Sequence, residues 1–197
     1  MNITTDQIKK LRELTGAGVL DAKRTLEEFN GDFDKALAVL KEKGLKTAEK
    51  KAERVAKQGL VETYVHGGGV IGVMVEVNCE TDFVARTNDF KNLAHDLALQ
   101  IAATQPVYVS AEDVPAEVIA EKKKIFTDAA LAEGKPANIV EKIVAGKLDA
   151  FLKEACLMRQ AYIRDDKLTV QDLVQATIAK VSENIVVKRF VRYELGA

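Results

Sequence analysis

The stretch LVETYVHGGGVIGVMVEV, residues 60–77, decides the fold class of this 197-residue chain. Its flanks, Leu60–His66 and Val70–Val77, are rich in β-branched residues, which favour β-strands. Between them, His66–Gly69 supplies three glycines, and glycine readily adopts the left-handed backbone of a tight reversal. The stretch therefore predicts an antiparallel β-hairpin.

The segment Gly67–Gly72 also matches G-x-G-x-x-G, the pattern of dinucleotide-binding loops. Such a loop has to be followed by a helix whose N-terminus faces the phosphates, whereas here a strand follows. We therefore interpret these glycines as a hairpin turn. No G-x-x-x-x-G-K-[ST] segment occurs in the sequence, so no nucleotide pocket is predicted elsewhere.

Downstream of the hairpin, apolar residues recur at helical spacing in four places. These places are Phe90–Ile101, Val118–Ala129, Val140–Ala155 and Thr169–Val181. Ile185–Leu195 is then β-branched, aromatic and alternating, which predicts a third strand. An early hairpin, a late strand and helices between them predict an α+β core with a small, mostly antiparallel three-stranded sheet packed with helices.

The first 45 residues predict a unit of three short helices, separated at Thr15–Gly18 and at Asn30–Gly31 and ending at Gly44. A unit of this size has no room for a water-excluding pocket, so it is typical of a docking module. Residues 46–57 are helix-prone but have almost no apolar stripe, which predicts a helical connector. We therefore divide the chain into a docking module (1–45), the connector (46–57) and an α+β core (58–197).

The chain carries 29 basic and 30 acidic residues, a balance that argues against binding to the phosphate backbone of nucleic acid. An RNA-binding role for the lysine-rich connector stays open, although its glutamates favour a solvated segment. No apolar run approaches the ~20 residues of a membrane span, and Met1–Lys10 lacks the apolar stretch of a secretion signal. We expect a cytoplasmic protein with no membrane partner.

Residue types that carry catalysis or hold metals are sparse. The two cysteines, Cys79 and Cys156, are far apart in the sequence, and there are only two histidines. No Ser/His/Asp or Cys/His pattern stands out, and the cysteine spacing suggests neither a zinc site nor a disulfide framework. We therefore predict a protein that is not an enzyme and that holds no cofactor or metal.

The segment NCETDFVAR, residues 78–86, follows the second predicted strand and precedes the helix at Phe90. Thr81 or Asp82 can cap a helical turn by accepting hydrogen bonds from backbone N–H groups. Phe83 has two interpretations. Most phenylalanines fold into a core, and side-chain chemistry alone favours this interpretation. At the entrance of a helix, Phe83 could instead project outward with Asp82 and act as a wedge into a partner.

Glu76–Arg86, EVNCETDFVAR, resembles the signature of the bacterial elongation factor Ts family. Leu11–Gly18, LRELTGAG, together with Asp21–Lys23 resembles the N-terminal signature of that family. Further matches follow in family order at Gly134–Pro136, Glu141–Lys147 and Glu183–Phe190. The resemblance therefore covers the whole chain.

The resemblance implies a guanine-nucleotide exchange factor for elongation factor Tu in translation, which binds that GTPase in its GDP-bound and nucleotide-free states. It implies that the N-terminal module is ubiquitin-associated-like and touches the nucleotide domain of the GTPase. It also implies that the turn formed by Thr81, Asp82, Phe83 and Val84 inserts beside the nucleotide site and dislodges the magnesium ion. Such a mechanism needs no catalytic residue on this chain.

The resemblance further implies partner-binding residues, most of them outside this turn. Val19 and Leu20 stand where the family often has methionines. His66 with Gly67 resembles a His-Gly contact to the β-domains of the GTPase. The full set of implied partner-binding residues is Arg12, Val19, Leu20, Lys23, His66, Gly67 and Arg86.

Longer members of the family have two similar core halves, whereas this chain resembles a short form with one core unit. Both faces of its predicted sheet carry apolar residues, because Val70–Val77 is apolar at nearly every position. Helices can cover one face, and we predict that a second copy covers the other, giving a homodimer through the core. The residues also leave open a non-catalytic adaptor, whose module would bind a peptide or a ubiquitin-like partner.

Overall fold

The computed structural model describes residues 3–197, and this part of the chain contains eight α-helices and five β-strands. The helices are α1 (Thr5–Thr15), α2 (Val19–Glu28), α3 (Phe33–Glu49), α4 (Asp82–Ala85), α5 (Asn88–Thr104), α6 (Ala116–Ala132), α7 (Ala137–Ala155) and α8 (Val170–Val181). The strands are β1 (Gln58–His66), β2 (Ile71–Cys79), β3 (Ala161–Tyr162), β4 (Asp165–Thr169) and β5 (Ile185–Glu194). The predicted α+β class is confirmed.

The hairpin and the late strand form one antiparallel sheet in the order β1-β2-β5. β1 pairs with β2 over its whole length, and the last pair before the turn is His66↔Ile71. The three glycines of the turn, residues 67–69, all have positive φ, a conformation that side chains disfavour. The predicted hairpin and third strand are therefore confirmed, and β2 is the central strand.

Helices cover one face of this sheet. Four inward residues of β2 are buried, namely Val73, Val75, Val77 and Cys79. α5 packs across them, and α8 packs in turn on α5. The other face carries exposed apolar side chains, among them Val61 of β1, Met74 of β2 and Val191 of β5. One side of the sheet is thus the main core and the other side faces solvent.

The three N-terminal helices pack around a core of their own, and their arrangement is consistent with a ubiquitin-associated-like module. Leu11, Leu26 and Leu40 form the centre of this core, one from each helix. The module also rests on α8, against which both α1 and α3 pack. A salt bridge of 3.8 Å between Lys41 Nζ and an oxygen of Asp172 joins α3 to α8. Module and main core therefore share a contact through α8.

The end of the third helix differs from the prediction. α3 continues past Gly44 to Glu49, because Ala48 is buried in the main core. Residues 50–54 then form turns, so the helix predicted over the connector, residues 46–57, is wrong beyond Glu49. The amide of Asn184 donates to the backbone oxygens of Ala52 and Arg54, at 3.3 and 2.9 Å. These oxygens are therefore held by the core, and the predicted helix does not form there.

Two further features lie between the sheet strands. α6 and α7 form the predicted pair of helices and pack chiefly against each other as a hairpin. β3 and β4 form a second, two-stranded sheet that the sequence did not predict, because the charged residues of β4 do not alternate with apolar ones. The hydroxyl of Tyr162 in β3 donates to Asp96 at 2.8 Å, which ties this small sheet to α5. Within residues 3–197, no helix combines the length and the apolar character required to cross a bilayer.

The contact between module and core gives a prediction at Gly16. Gly16 ends α1 with φ of 67°, and a Cβ added there would overlap the backbone oxygen of Ala176 in α8. We expect Gly16→Ala to lower the free energy of unfolding by about 1–3 kcal/mol, because the backbone is strained and the module is pushed away from α8.

Gly44→Ala is the matched control, measured by urea denaturation under the same conditions. Gly44 lies inside α3 and has open space around the position of a Cβ. Alanine there should raise stability by up to about 1 kcal/mol, because it favours the helix. Equal effects of the two substitutions would contradict the proposed tight contact at Gly16.

Candidate functional site

The candidate site is the turn that leads from β2 into α4 and α5. Thr81 is the N-cap of α4, and its hydroxyl oxygen accepts from the N–H of Val84 at 3.4 Å. Only two residues after α4 ends, Thr87 caps α5 by accepting from the N–H of Phe90 at 3.3 Å. Two caps so close together hold α4 as a single helical turn at the end of the sheet.

Phe83 projects from this turn and is 79% exposed. The interpretation that placed it in the core is therefore wrong. A helix of four residues presents only a small surface to the core, and Ala85 and Val84 occupy that surface here. A large aromatic side chain held in solvent by a capped turn is a feature typical of a contact surface.

Glu183, two residues before β5, binds the first residue of the turn. Its carboxylate accepts from both the N–H of Thr81, at 3.0 Å, and the hydroxyl of Thr81, at 2.6 Å. No local sequence pattern assigns a role to Glu183, because its partner lies 102 positions away in the chain. Only its place in the segment that matches the elongation factor Ts family marked it.

Cys79 contributes a further hydrogen bond to the turn, since its thiol donates to the backbone oxygen of Thr81 at 3.1 Å. Burial raises the pKa of the Cys79 thiol to about 11, and the nearby carboxylate of Glu183 adds to the rise. The thiol therefore stays protonated at neutral pH and remains a donor. Cys79 is a structural part of the turn, and its high pKa argues against a nucleophilic role.

The charged residues of the turn face solvent. Asp82 forms a salt bridge of 2.9 Å with Arg86, one helical turn later, and both side chains are exposed. Such exposed pairs contribute little to stability, so either group can exchange its partner for one on another molecule. Asp82, Phe83 and Arg86 thus present a carboxylate, an aromatic ring and a guanidinium on one short segment.

The implied contact residues of the module lie at the end of α1, which carries Arg12, and at the start of α2. Leu20 is 70% exposed and Val19 is exposed beside it. Lys23, on the same helix, forms an exposed salt bridge of 3.7 Å with Glu27. Arg12 has a structural contact, because its Nε donates to the backbone oxygen of Ala17 at 3.3 Å and holds the loop before α2. The module therefore offers an apolar tip with a lysine beside it.

His66 and Gly67 lie apart from the turn at Thr81. They are at the hairpin end of the sheet, whereas the turn follows the opposite end of β2. A strand of nine residues separates the two positions by about 25 Å. His66 Nδ1 lies 2.9 Å from the hydroxyl of Tyr64, and both side chains are close to the surface. The residues implied by the resemblance therefore form three separate surfaces: the module tip, the turn and the hairpin end.

Within residues 3–197, no three side chains of His, Cys, Asp or Glu lie together in a way that could hold a metal ion. The candidate site consists of hydrogen-bonded backbone, one exposed aromatic ring and surface charges. This arrangement is suited to contact with a partner.

Comparison with known proteins gives a match over nearly the whole chain. A family model described as Elongation factor TS matches residues 3–197. A curated protein named Elongation factor Ts from Thermotoga maritima is 58% identical over 196 residues, which are 100% of this chain and 98% of the relative. Those from Carboxydothermus hydrogenoformans and Moorella thermoacetica are both 57% identical over 194 residues, 98% of this chain and 89% and 96% of the respective relatives. The similarity therefore spans the module, the turn and the core.

The exposure of Phe83 predicts that its removal costs much less folding stability than removal of the nearby Phe90. Phe83→Ala should change the free energy of unfolding by no more than about 0.5 kcal/mol, as is usual at the surface. Phe90→Ala is the matched comparison, because Phe90 is 0% exposed in the main core and its loss should cost about 3–5 kcal/mol. Chemical denaturation of both variants measures the difference, and a loss of several kcal/mol for Phe83→Ala would place this ring in the core.

Proposed function

This chain belongs to the elongation factor Ts family, and on that premise we propose that it is a guanine-nucleotide exchange factor for elongation factor Tu in translation elongation. It would act in the cytoplasm and bind the GTPase in its GDP-bound and nucleotide-free states. The observation that supports this function best is the exposed Phe83 on a turn held by two caps and by Glu183. A rigid, exposed aromatic side chain is suited to insertion into a partner.

In the proposed mechanism, Thr81, Asp82, Phe83 and Val84 insert beside the nucleotide site of the GTPase. The magnesium ion there belongs to the partner, where it bridges phosphate and protein oxygens. Its displacement removes a large positive charge that holds the diphosphate, so GDP dissociates faster. This chain makes and breaks no covalent bond, and the proposed role is therefore not enzymatic.

The energy that such a mechanism requires is modest. A thousandfold loss of GDP affinity corresponds to about 4 kcal/mol of coupling between the two binding events. The coupling is reciprocal, so a nucleotide that rebinds weakens the hold of the factor by the same ratio. The factor can therefore act repeatedly, provided that its contacts with the GTPase are not much stronger than this coupling.

The other two surfaces would supply affinity. The module tip, formed by Val19, Leu20 and Lys23, would dock on the nucleotide domain, with Arg12 supporting it through the loop before α2. His66 and Gly67 would contact another domain of the GTPase. Their separation from the turn by about 25 Å fits a factor that spans two domains of its partner.

We also propose that the working form is a homodimer through the open face of the sheet. This face carries exposed side chains from all three strands, namely Val61, Val65, Met74, Val191 and Tyr193. A depression of about 350 Å³ lies on it between Val61 and Val191. A salt bridge of 2.8 Å between Glu76 and Arg189 borders this depression. A second copy related by a two-fold axis would cover the same face on both partners.

Nucleotide release tests the function directly. Fluorescent GDP should leave purified elongation factor Tu faster when this chain is added, and Phe83→Ala or Asp82→Ala should slow the stimulated release at least about tenfold. Val107→Ala is the matched control: Val107 is also exposed and apolar, but it lies beyond the opposite end of α5. Unchanged GDP release on addition of the original chain would favour the adaptor function instead.

Sedimentation at micromolar concentration in reducing buffer tests the dimer, which should have twice the 21.6 kDa mass of one chain. Met74→Glu should give a folded monomer, because Met74 is 49% exposed in the single chain and glutamate there would repel its copy or be buried without a partner. Leu131→Glu, on the exposed surface of α6, should leave the dimer intact. A stable monomer of the original chain would exclude the proposed interface.

A further inference from the structure

Three segments that are distant in the sequence meet beneath the turn. They are the turns after α3, the end of β2 with Thr81, and the pair Glu183–Asn184 before β5. Glu80 lies at their centre, where one of its oxygens accepts from the N–H of Asn184 at 2.7 Å and lies 3.5 Å from Nη1 of Arg54. We name Glu80, Glu183 and Asn184 the latch.

One half of the latch fixes the turn itself. The two oxygens of Glu183 bind the N–H and the hydroxyl of Thr81, so this carboxylate determines the orientation of the whole residue. The same hydroxyl oxygen caps α4 by accepting from Val84. A change in the position of Glu183 is therefore passed through Thr81 to the helical turn that carries Phe83.

The other half of the latch connects the turn to the segment that follows α3. Asn184 is buried, and its side-chain amide donates to the backbone oxygens of Ala52 and Arg54. Residues 50–57 belong to no helix, and Glu80 adds a contact to this segment through Nη1 of Arg54. The module itself is fixed to the core through α8, so the latch adds a second connection at this segment, and its loss would loosen the turn beside it.

We propose that Glu183, with Glu80 and Asn184, is a positioning residue for nucleotide exchange, which holds Phe83 at a fixed place relative to the docked module. This inference rests on the proposed function. Docking through the module brings the factor to its partner, but insertion also requires that the turn arrives in the correct position. Displacements of about 1 Å at a reacting site reduce rates by about a hundredfold, so a loose turn would dock normally and insert poorly.

The role of the latch predicts a separation between maximal rate and affinity. With increasing concentrations of the factor, Glu183→Ala should lower the maximal rate of GDP release about tenfold, while the half-saturating concentration stays within about twofold. Leu20→Ala should instead raise the half-saturating concentration and leave the maximal rate nearly unchanged, because Leu20 belongs to the module tip and not to the turn. A loss of folded protein would instead raise the apparent half-saturating concentration and leave the maximal rate unchanged, and thermal denaturation detects such a loss.

Two conservative variants separate position from charge. Glu183→Gln keeps the length of the side chain, and its amide can accept from the N–H of Thr81 while donating to the hydroxyl oxygen. Glu183→Asp keeps the charge but is one methylene shorter, so it cannot reach both groups. We expect Glu183→Gln to retain at least about half of the maximal rate and Glu183→Asp to resemble Glu183→Ala.

A double-mutant cycle completes the test. Thr81→Ala and Glu183→Ala both remove the hydrogen bond between the hydroxyl and the carboxylate, so their effects on the maximal rate should be less than additive in the double variant. If the original chain accelerates GDP release and Glu183→Ala reaches the same maximal rate, the role of the latch is wrong and the proposed function stands. If Glu183→Asp is active and Glu183→Gln is not, charge and not position matters, and the inference is overturned. If the original chain does not accelerate GDP release at all, the proposed function fails and the positioning role fails with it.

Discussion

The burial of one face of β2 is the constraint on which the rest of the structure depends. β2 is bonded to strands on both sides, and its four inward side chains are covered by α5. A shift of β2 by one residue would turn these side chains to solvent, so its register is fixed. The end of β2 is therefore a rigid point, and the turn at Thr81 starts from it. A surface at this point is held in place by the core, although its own side chains are not part of the core.

Because the side chain of Phe83 lies outside the core, its exposure to solvent does not weaken the core. The stability of the core comes from residues such as Phe90 and Val75, which are completely buried, whereas Phe83 lies outside. The turn is held instead by polar contacts from Glu183, Thr81 and the thiol of Cys79. Polar contacts specify direction better than apolar packing, which is non-directional. Apolar burial thus stabilises the sheet, and hydrogen bonds fix the orientation of the turn.

Local patterns in the sequence were sufficient to predict the hairpin, the last strand and the long helices, because each of these has a period that a short window reveals. They failed where a distant residue decides the structure. α3 passes Gly44 because Ala48 is buried in the main core, and the turns after it are held by Asn184. Phe83 is exposed because a four-residue helix has little inward surface, which its chemical type cannot show. The family resemblance located the turn, but only the three-dimensional structure shows that Glu183 holds it.

The place of β5 in the chain has a consequence for the order of folding. Thr81 and Glu183 are separated by 102 positions, and β5 adds the third strand to a hairpin made much earlier in the sequence. Contacts between such distant segments form late, because the loop between them must first be closed. During synthesis β2 is therefore first paired only with β1, and its other edge stays open. Thr81 has no hydrogen bond to Glu183 until the residues around Glu183 have been made. In a nascent chain, the turn that carries Phe83 would therefore reach its final orientation last, after the module and the helices had folded.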